Sequence, residues 1–201
     1  MSISTYSELK AEIASWLNRS DLSETIPTLI QLAEVQLNAD LTSRFMEVKA
    51  SLPVTAGVST ASLPSDLLDI KRLQVVGSPN RVLIYRSPDE IAQDNAANQT
   101  GMPETFSVFG NTLELAPIPD SDCTLELLYY QKIPALSDSN PTNWLLTNWP
   151  NAYLFGALLQ AQPFLMNDER IPVFQSLYSQ AVEGLNVVDW YSGSTMRVRA
   201  R

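Results

Sequence analysis

Between Asp138 and Asp168 no residue of this chain carries a formal charge. A chain in water leaves so long a segment uncharged when protein covers it. A membrane is not the cover. Asn143, Asn148, Asn151, Gln160 and Gln162 punctuate the stretch, and Pro150 and Pro163 break its apolar run well short of the roughly 20 residues that a bilayer requires. The segment therefore packs either into the core of its own subunit or against a neighbouring protein. Its first half reads as a loop with Trp144 and Trp149 as pins. Its second half reads as a helix over 150–166, in which Gly156, Ala157, Gln160 and Ala161 are the small and neutral positions expected to face a neighbouring subunit.

The rest of the chain limits the chemistry. It has 201 residues, 45% of them hydrophobic, which suffices for a sizeable core. The net charge of −9 argues against a surface built to grip nucleic acid. The single cysteine, Cys123, lies in an apolar alternation and forms no intrachain disulfide. The first ten residues lack a basic region and apolar run, so synthesis in a cytoplasm is expected. There is no histidine, which removes the commonest general base and metal ligand and every Ser-His or Cys-His nucleophile pair. No glycine-rich phosphate or dinucleotide fingerprint occurs. No cofactor and no metal site is expected.

Periodicity divides the chain. Thr5 and Glu8 form a capping box ahead of a helix whose face carries Tyr6, Leu9, Ile13, Trp16 and Leu17. After a break at 18–21, a second helix begins near Ser23 or Thr25 and carries Ile26, Leu29, Ile30, Ala33, Leu37 and Leu41. From 45 the texture is β-rich. Val48, Ala50, Leu52 and Val54 alternate with polar neighbours, and strands are expected at 70–76, 81–85, 105–109, 112–116 and 123–131. A short helix near 87–95 starts at Ser87-Pro88-Asp89-Glu90. The uncharged segment's helix follows. A last helix, capped by Asp168, carries Phe174, Leu177, Tyr178, Ala181, Leu185 and Val188. The expected fold is α+β: a four-helix bundle from the N- and C-terminal helix pairs (1–44 and 144–189), a β-rich insertion between them (45–143), and an extended C-terminal tail (190–201).

Three features are candidates for function. Paired carboxylates, Asp120 with Asp122, Asp89 with Glu90, and Asp168 with Glu169, could serve a histidine-free hydrolase. Each also has an ordinary reading, in a turn or in the first turn of a helix. Residues 87–138 hold nine acids and one base, Lys132, which is either a solvated β surface or a wall that repels phosphates. In the tail, Arg197, Arg199 and Arg201 follow Trp190, Tyr191, Met196 and Val198. Aromatics, methionine and arginine are what protein interfaces enrich, so these seven residues are the candidate docking set.

Several segments taken together resemble the head–tail connector, or adaptor, proteins of short-tailed bacteriophages. They are Thr5-Tyr-Ser-Glu-Leu-Lys10 with Trp16-Leu-Asn-Arg-Ser-Asp-Leu22; Ile26-Pro27 leading to Leu32-Ala-Glu34 and Leu37-Asn38; Leu63-Pro-Ser-Asp-Leu67; Leu113-Glu-Leu-Ala-Pro117; Tyr129-Tyr-Gln-Lys-Ile-Pro-Ala-Leu-Ser-Asp138 running into Asn143-Trp-Leu-Leu146; and Ser192-Gly-Ser194 with its arginines. The order and spacing of many weak matches carry the resemblance. It implies a non-enzymatic virion protein of the neck between head and tail, made in the host cytoplasm, with no membrane association. It implies a ring, typically dodecameric, of neighbouring copies. The ring's partners would be the portal protein, reached by the C-terminal tail, and a tail nozzle or tail-tube protein. Genomic DNA would pass through its channel without sequence-specific binding and be retained until ejection. The residues themselves leave two other readings open: a cell-wall hydrolase using an Asp/Glu pair, and a generic cytoplasmic interaction domain.

Overall fold

A computed structural model describes residues 3–18, 22–96, 99–164 and 170–190, with backbone alone for the last four of these. The chain forms two compact units, Met1–Phe45 with Ile133–Arg201, and Met46–Lys132.

In the first unit, α1 (Tyr6–Leu17) starts at the capping box expected from the sequence. The Thr5 hydroxyl accepts from the Glu8 N–H at 3.3 Å, and the Glu8 carboxylate accepts from the Thr5 N–H at 3.1 Å. The helix ends at Asn18, whose φ of 50° lies in the left-handed region that asparagine tolerates. α2 (Ile26–Asp40) has Pro27 in its first turn, where the missing N–H costs nothing. Ile26, Leu29, Ile30, Ala33, Leu37 and Leu41 are all buried, as the spacing predicts. α4 (Trp144–Asn148) and α5 (Pro150–Gln160) come from the uncharged segment, followed by a single 3₁₀ turn at Gln162–Phe164. α6 (Ile171–Trp190) buries Phe174, Tyr178, Ala181 and Leu185.

The expected four-helix bundle with a β insertion is corrected here. Five helices share the first unit, and they are not two hairpins side by side. α5 is their hub and packs against α1, α2, α4 and α6, whereas α1 and α2 meet only briefly. The reason lies in α5. Ala152, Tyr153, Leu154, Gly156, Ala157 and Leu158 are buried round nearly its whole circumference. A helix with an apolar surface on all sides goes to the middle, and the one-faced helices surround it. The segment 144–148 is likewise a helix, not a loop. Asn143 caps it by accepting from the Leu146 N–H at 2.8 Å.

The second unit holds β1 (Glu47–Val54), β2 (Thr60–Ser62), β3 (Leu67–Val75), β4 (Arg81–Val82), β5 (Ile84–Tyr85), α3 (Pro88–Ala96), β6 (Thr100–Gly101), β7 (Thr105–Phe109), β8 (Thr112–Ala116), β9 (Ile118–Pro119) and β10 (Cys123–Gln131). One four-stranded sheet runs β1-β10-β3-β4 and another β2-β8-β7-β5, with β6 and β9 as a small parallel pair. Val54, Leu63, Leu73, Val75, Leu83, Phe106, Leu113, Leu115, Leu125, Leu127 and Tyr129 form the core between the sheets. The β7–β8 hairpin turns at Gly110, whose φ of 59° suits a residue without a Cβ. The strand expected over 81–85 is split. Leu83 enters the core, so the residues before it join the first sheet and those after it join the second. Among the described residues the fold is thus α+β, with six α-helices and ten strands. No described helix is long and apolar enough to cross a membrane.

Candidate functional site

The carboxylates are the natural place to look for chemistry, and most of them are engaged locally. Ser87 donates its N–H and hydroxyl to Glu90 at 3.0 and 2.9 Å. These bonds hold the Glu90 carboxyl below the usual carboxylate range. Asp89 stands beside it in the exposed first turn of α3. Asp122 accepts from the Ala56 N–H at 2.8 Å and ties two turns together. Asp120 accepts from the Ser121 hydroxyl at 3.0 Å. Cys123 is free and half-buried, and burial raises its thiol above the ordinary range, with Asp122 and Asp120 adding to the effect. Asp168 and Glu169 lie outside the described residues. No group of three or more potential metal ligands occurs among the described residues.

The helical unit is organised by a buried polar network that sequence reasoning missed. Glu34 on α2 is 6% exposed. Its Oε1 accepts from the Leu136 N–H at 2.7 Å and from the Tyr153 hydroxyl at 3.3 Å. Asn143 donates to that hydroxyl at 2.6 Å and to the Pro134 carbonyl at 2.8 Å. One turn on, Asn38 accepts from the Ile133 N–H at 2.8 Å. Burial pushes the Glu34 carboxyl up, against the lowering effect of its two donors. Burial and the adjacent Glu34 raise the Tyr153 hydroxyl too. The network gives the chain after Ile133 hydrogen-bonding partners that the apolar helices cannot supply. Its only sequence signal was a glutamate at the centre of an apolar stripe.

The expected neighbour-facing positions fall as follows. Gly156, Ala157 and Ala161 are buried in the helical unit. A Cβ at Gly156 would lie 3.4 Å from both the Ala33 Cβ and the Tyr178 ring, so glycine lets α2 and α6 close on α5. Gln160 is half-buried and lines an open cleft of about 560 Å³ with Gln36, Asp40, Gln162, Gln175 and Glu183. Tyr178 also lines the cleft and donates to Asp40 at 2.7 Å. The uncharged segment lines this cleft with Leu159, Gln160 and Gln162.

A second surface feature uses the two expected tryptophan pins. Phe45, 43% exposed, stacks on Trp144 at 5.7 Å and meets Trp149 edge-on at 5.4 Å. The Arg44 guanidinium lies 5.3 Å from the centre of the Phe45 ring. In the docking tail, Trp190 ends α6 by its backbone. Tyr191, Met196, Arg197, Val198, Arg199 and Arg201 lie outside the described residues.

The chain thus has a helical unit built round one uncharged helix, with a polar cleft and an aromatic cluster, and a two-sheet β unit whose carboxylates are engaged locally. Residues 4–199 match the family described as SU10 adaptor protein, and the chain belongs to that family. It is therefore a structural adaptor of a bacteriophage and a component of the virion neck. No curated protein matches the chain at a significant level.

Proposed function

We propose that the chain forms a ring that docks on the portal, meets the tail below, and continues the channel through which the genome leaves. The observation that carries this reading is the family match over residues 4–199. Two features of the molecule support it. A closed ring needs two different complementary faces on each subunit. In this reading the cleft around Gln160 and the Phe45, Trp144 and Trp149 cluster, both on the helical unit, serve as those two faces. Of the four positions expected at a neighbour, Gln160 retains solvent-facing surface, and the ring contact is proposed there. A net charge of −9 suits a conduit that does not hold on to DNA as it passes.

In this reading the segment 190–201 is the portal anchor, with its aromatics and Met196 as apolar contacts and its three arginines as ionic ones. The ring is dodecameric, and the subunits associate weakly until the portal templates them. The test is native mass spectrometry of the purified full chain, alone and mixed with its portal ring. Monomers or weak oligomers alone, and a full complement of subunits on the portal, are expected. A truncation before Trp190 is expected to lose portal binding while keeping its circular dichroism spectrum. Truncated protein that docks as well as the full chain would remove the anchor from the proposal. Failure of the full chain to bind any portal ring would remove the proposal itself.

A further inference from the structure

The β unit has an open seam. Strands β4 and β5 are one short piece of chain that crosses between the two sheets. It pairs with β3 at Gln74 and Val75, and with β7 at Thr105 and Phe106. The Arg86 N–H makes a last bond to the Phe106 carbonyl at 2.9 Å, and the chain then turns away into α3. Beyond that point, among the described residues, no strand pairs with 68–72 of β3 on the side away from β10, or with 107–109 of β7 on the side away from β8. Two strand edges therefore stand open on either side of one groove. It measures about 330 Å³ and is lined by Leu67, Leu68, Ile70, Tyr85, Phe106 and Val108, with Asp69 as the charged residue. Tyr85 is 60% exposed and Leu68 36%.

Open edges beside apolar side chains are a liability that proteins normally cover. A helix could fill the groove but could not satisfy two rows of backbone groups, whereas an added strand does both. The charge is also uneven. This unit carries eleven acidic and six basic residues. Lys49, Lys71, Arg72, Arg81 and Arg86 are each already paired, with Glu126, Glu47, Glu126, Glu104 and Asp94 respectively. Asp69 accepts the Ile70 N–H at 2.8 Å and has no cationic partner among the described residues. An occupant would therefore place a cation beside Asp69.

We infer that the groove between β3 and β7 is a strand-addition site for an extended basic segment of a partner protein, in which apolar residues alternate with lysine or arginine. The added strand continues the line that β5 begins, parallel to β7. Alternate side chains enter the groove, and the residues between them face outward, with one cation beside Asp69. The inference does not depend on the portal or the ring.

The test uses the full chain and two capped heptapeptides, one alternating valine with lysine and the other valine with glutamate. The lysine peptide is expected to bind saturably and to slow amide exchange at 68–72 and 107–109. Asp69→Lys should weaken it roughly fivefold, the size of one exposed ion pair, and narrow its advantage over the glutamate peptide. Leu68→Lys should abolish binding of the lysine peptide. Both positions are exposed, so both variants should keep the fold. Absence of saturable binding, protection elsewhere on the molecule, or equal binding of the two peptides would overturn the inference. So would self-association of the free chain that Leu68→Lys abolishes, since a second copy would then be the occupant.

Discussion

Glu34 is a carboxylate without a cationic partner among the described residues, buried where α2 meets the chain leading into α4. Its environment raises its pKa in the folded state, mainly through burial. The protonated form is thus the one the fold prefers. Glu34 stabilises the fold most below the ordinary carboxylate pKa, and its contribution is lost as pH rises through the raised folded value. Glu34→Gln keeps an Oε1 acceptor for the Leu136 N–H and the Tyr153 hydroxyl and removes the titration. Urea denaturation across pH 4 to 8 is expected to show the variant gaining on wild type as pH rises. Glu34→Ala leaves both donors without an acceptor and should cost about 2 kcal/mol. At the surface, Thr5→Ala removes the α1 cap and should cost about 1 kcal/mol, read from the same denaturation curves. The capping box was legible because it is a local pattern four residues long. The role of Glu34 was not, because its donors Leu136 and Tyr153 are 102 and 119 residues away.

Two helical glycines separate the effects of backbone and packing at the level of the element. Gly184 lies within α6, and a Cβ there would meet nothing within 4 Å. Gly184→Ala therefore gains helix propensity alone and should stabilise by about 0.5–1 kcal/mol, raising the melting temperature by a few degrees. Gly156, at the contact of α5 with Ala33 and Tyr178, should behave in the opposite way. Gly156→Leu forces the helices apart and should cost about 2–3 kcal/mol in the same thermal melts. Periodicity identified α1, α2 and α6 and most of the residues they bury, although Trp16, expected on the buried face of α1, is exposed. It read α5 as presenting a polar side to a neighbour, because a helix that lacks charge and one that contacts another subunit share the same composition. The pairs β6–β9 and β2–β8 went unread for a related reason. Strands two or three residues long carry no period, and only their partners make them strands.

For the molecule as a whole, the division into two units has a direct consequence. Met46–Lys132 is one continuous stretch with its own core between two sheets. Expressed alone, it is expected to give a dispersed amide NMR spectrum and a cooperative melt. Residues 1–45 alone should not fold, because the buried faces of α1 and α2 are covered chiefly by α5, which lies a hundred residues further on. A cooperative melt from 1–45 would show that α1 and α2 fold without α5, and its absence from 46–132 would show that the β unit depends on the rest of the chain for folding. The seam between β3 and β7 also belongs to this scale, since neither strand alone would mark it.

The sequence by itself determined most of the helix faces, the capped starts of α1 and α3, the alternating strands, the lack of histidine chemistry, and the membership in an adaptor family through many weak, ordered matches. Those properties are local or additive along the chain, so they can be read without coordinates. Only the tertiary structure decided which helix is central, which polar groups are buried together, and where the β unit leaves its edges unpaired. Each of these depends on which surfaces meet across a hundred residues of chain. The uncharged segment shows the difference. Its composition required that protein cover it, and the fold supplied the cover from within its own helical unit, leaving Gln160 and Gln162 at the cleft.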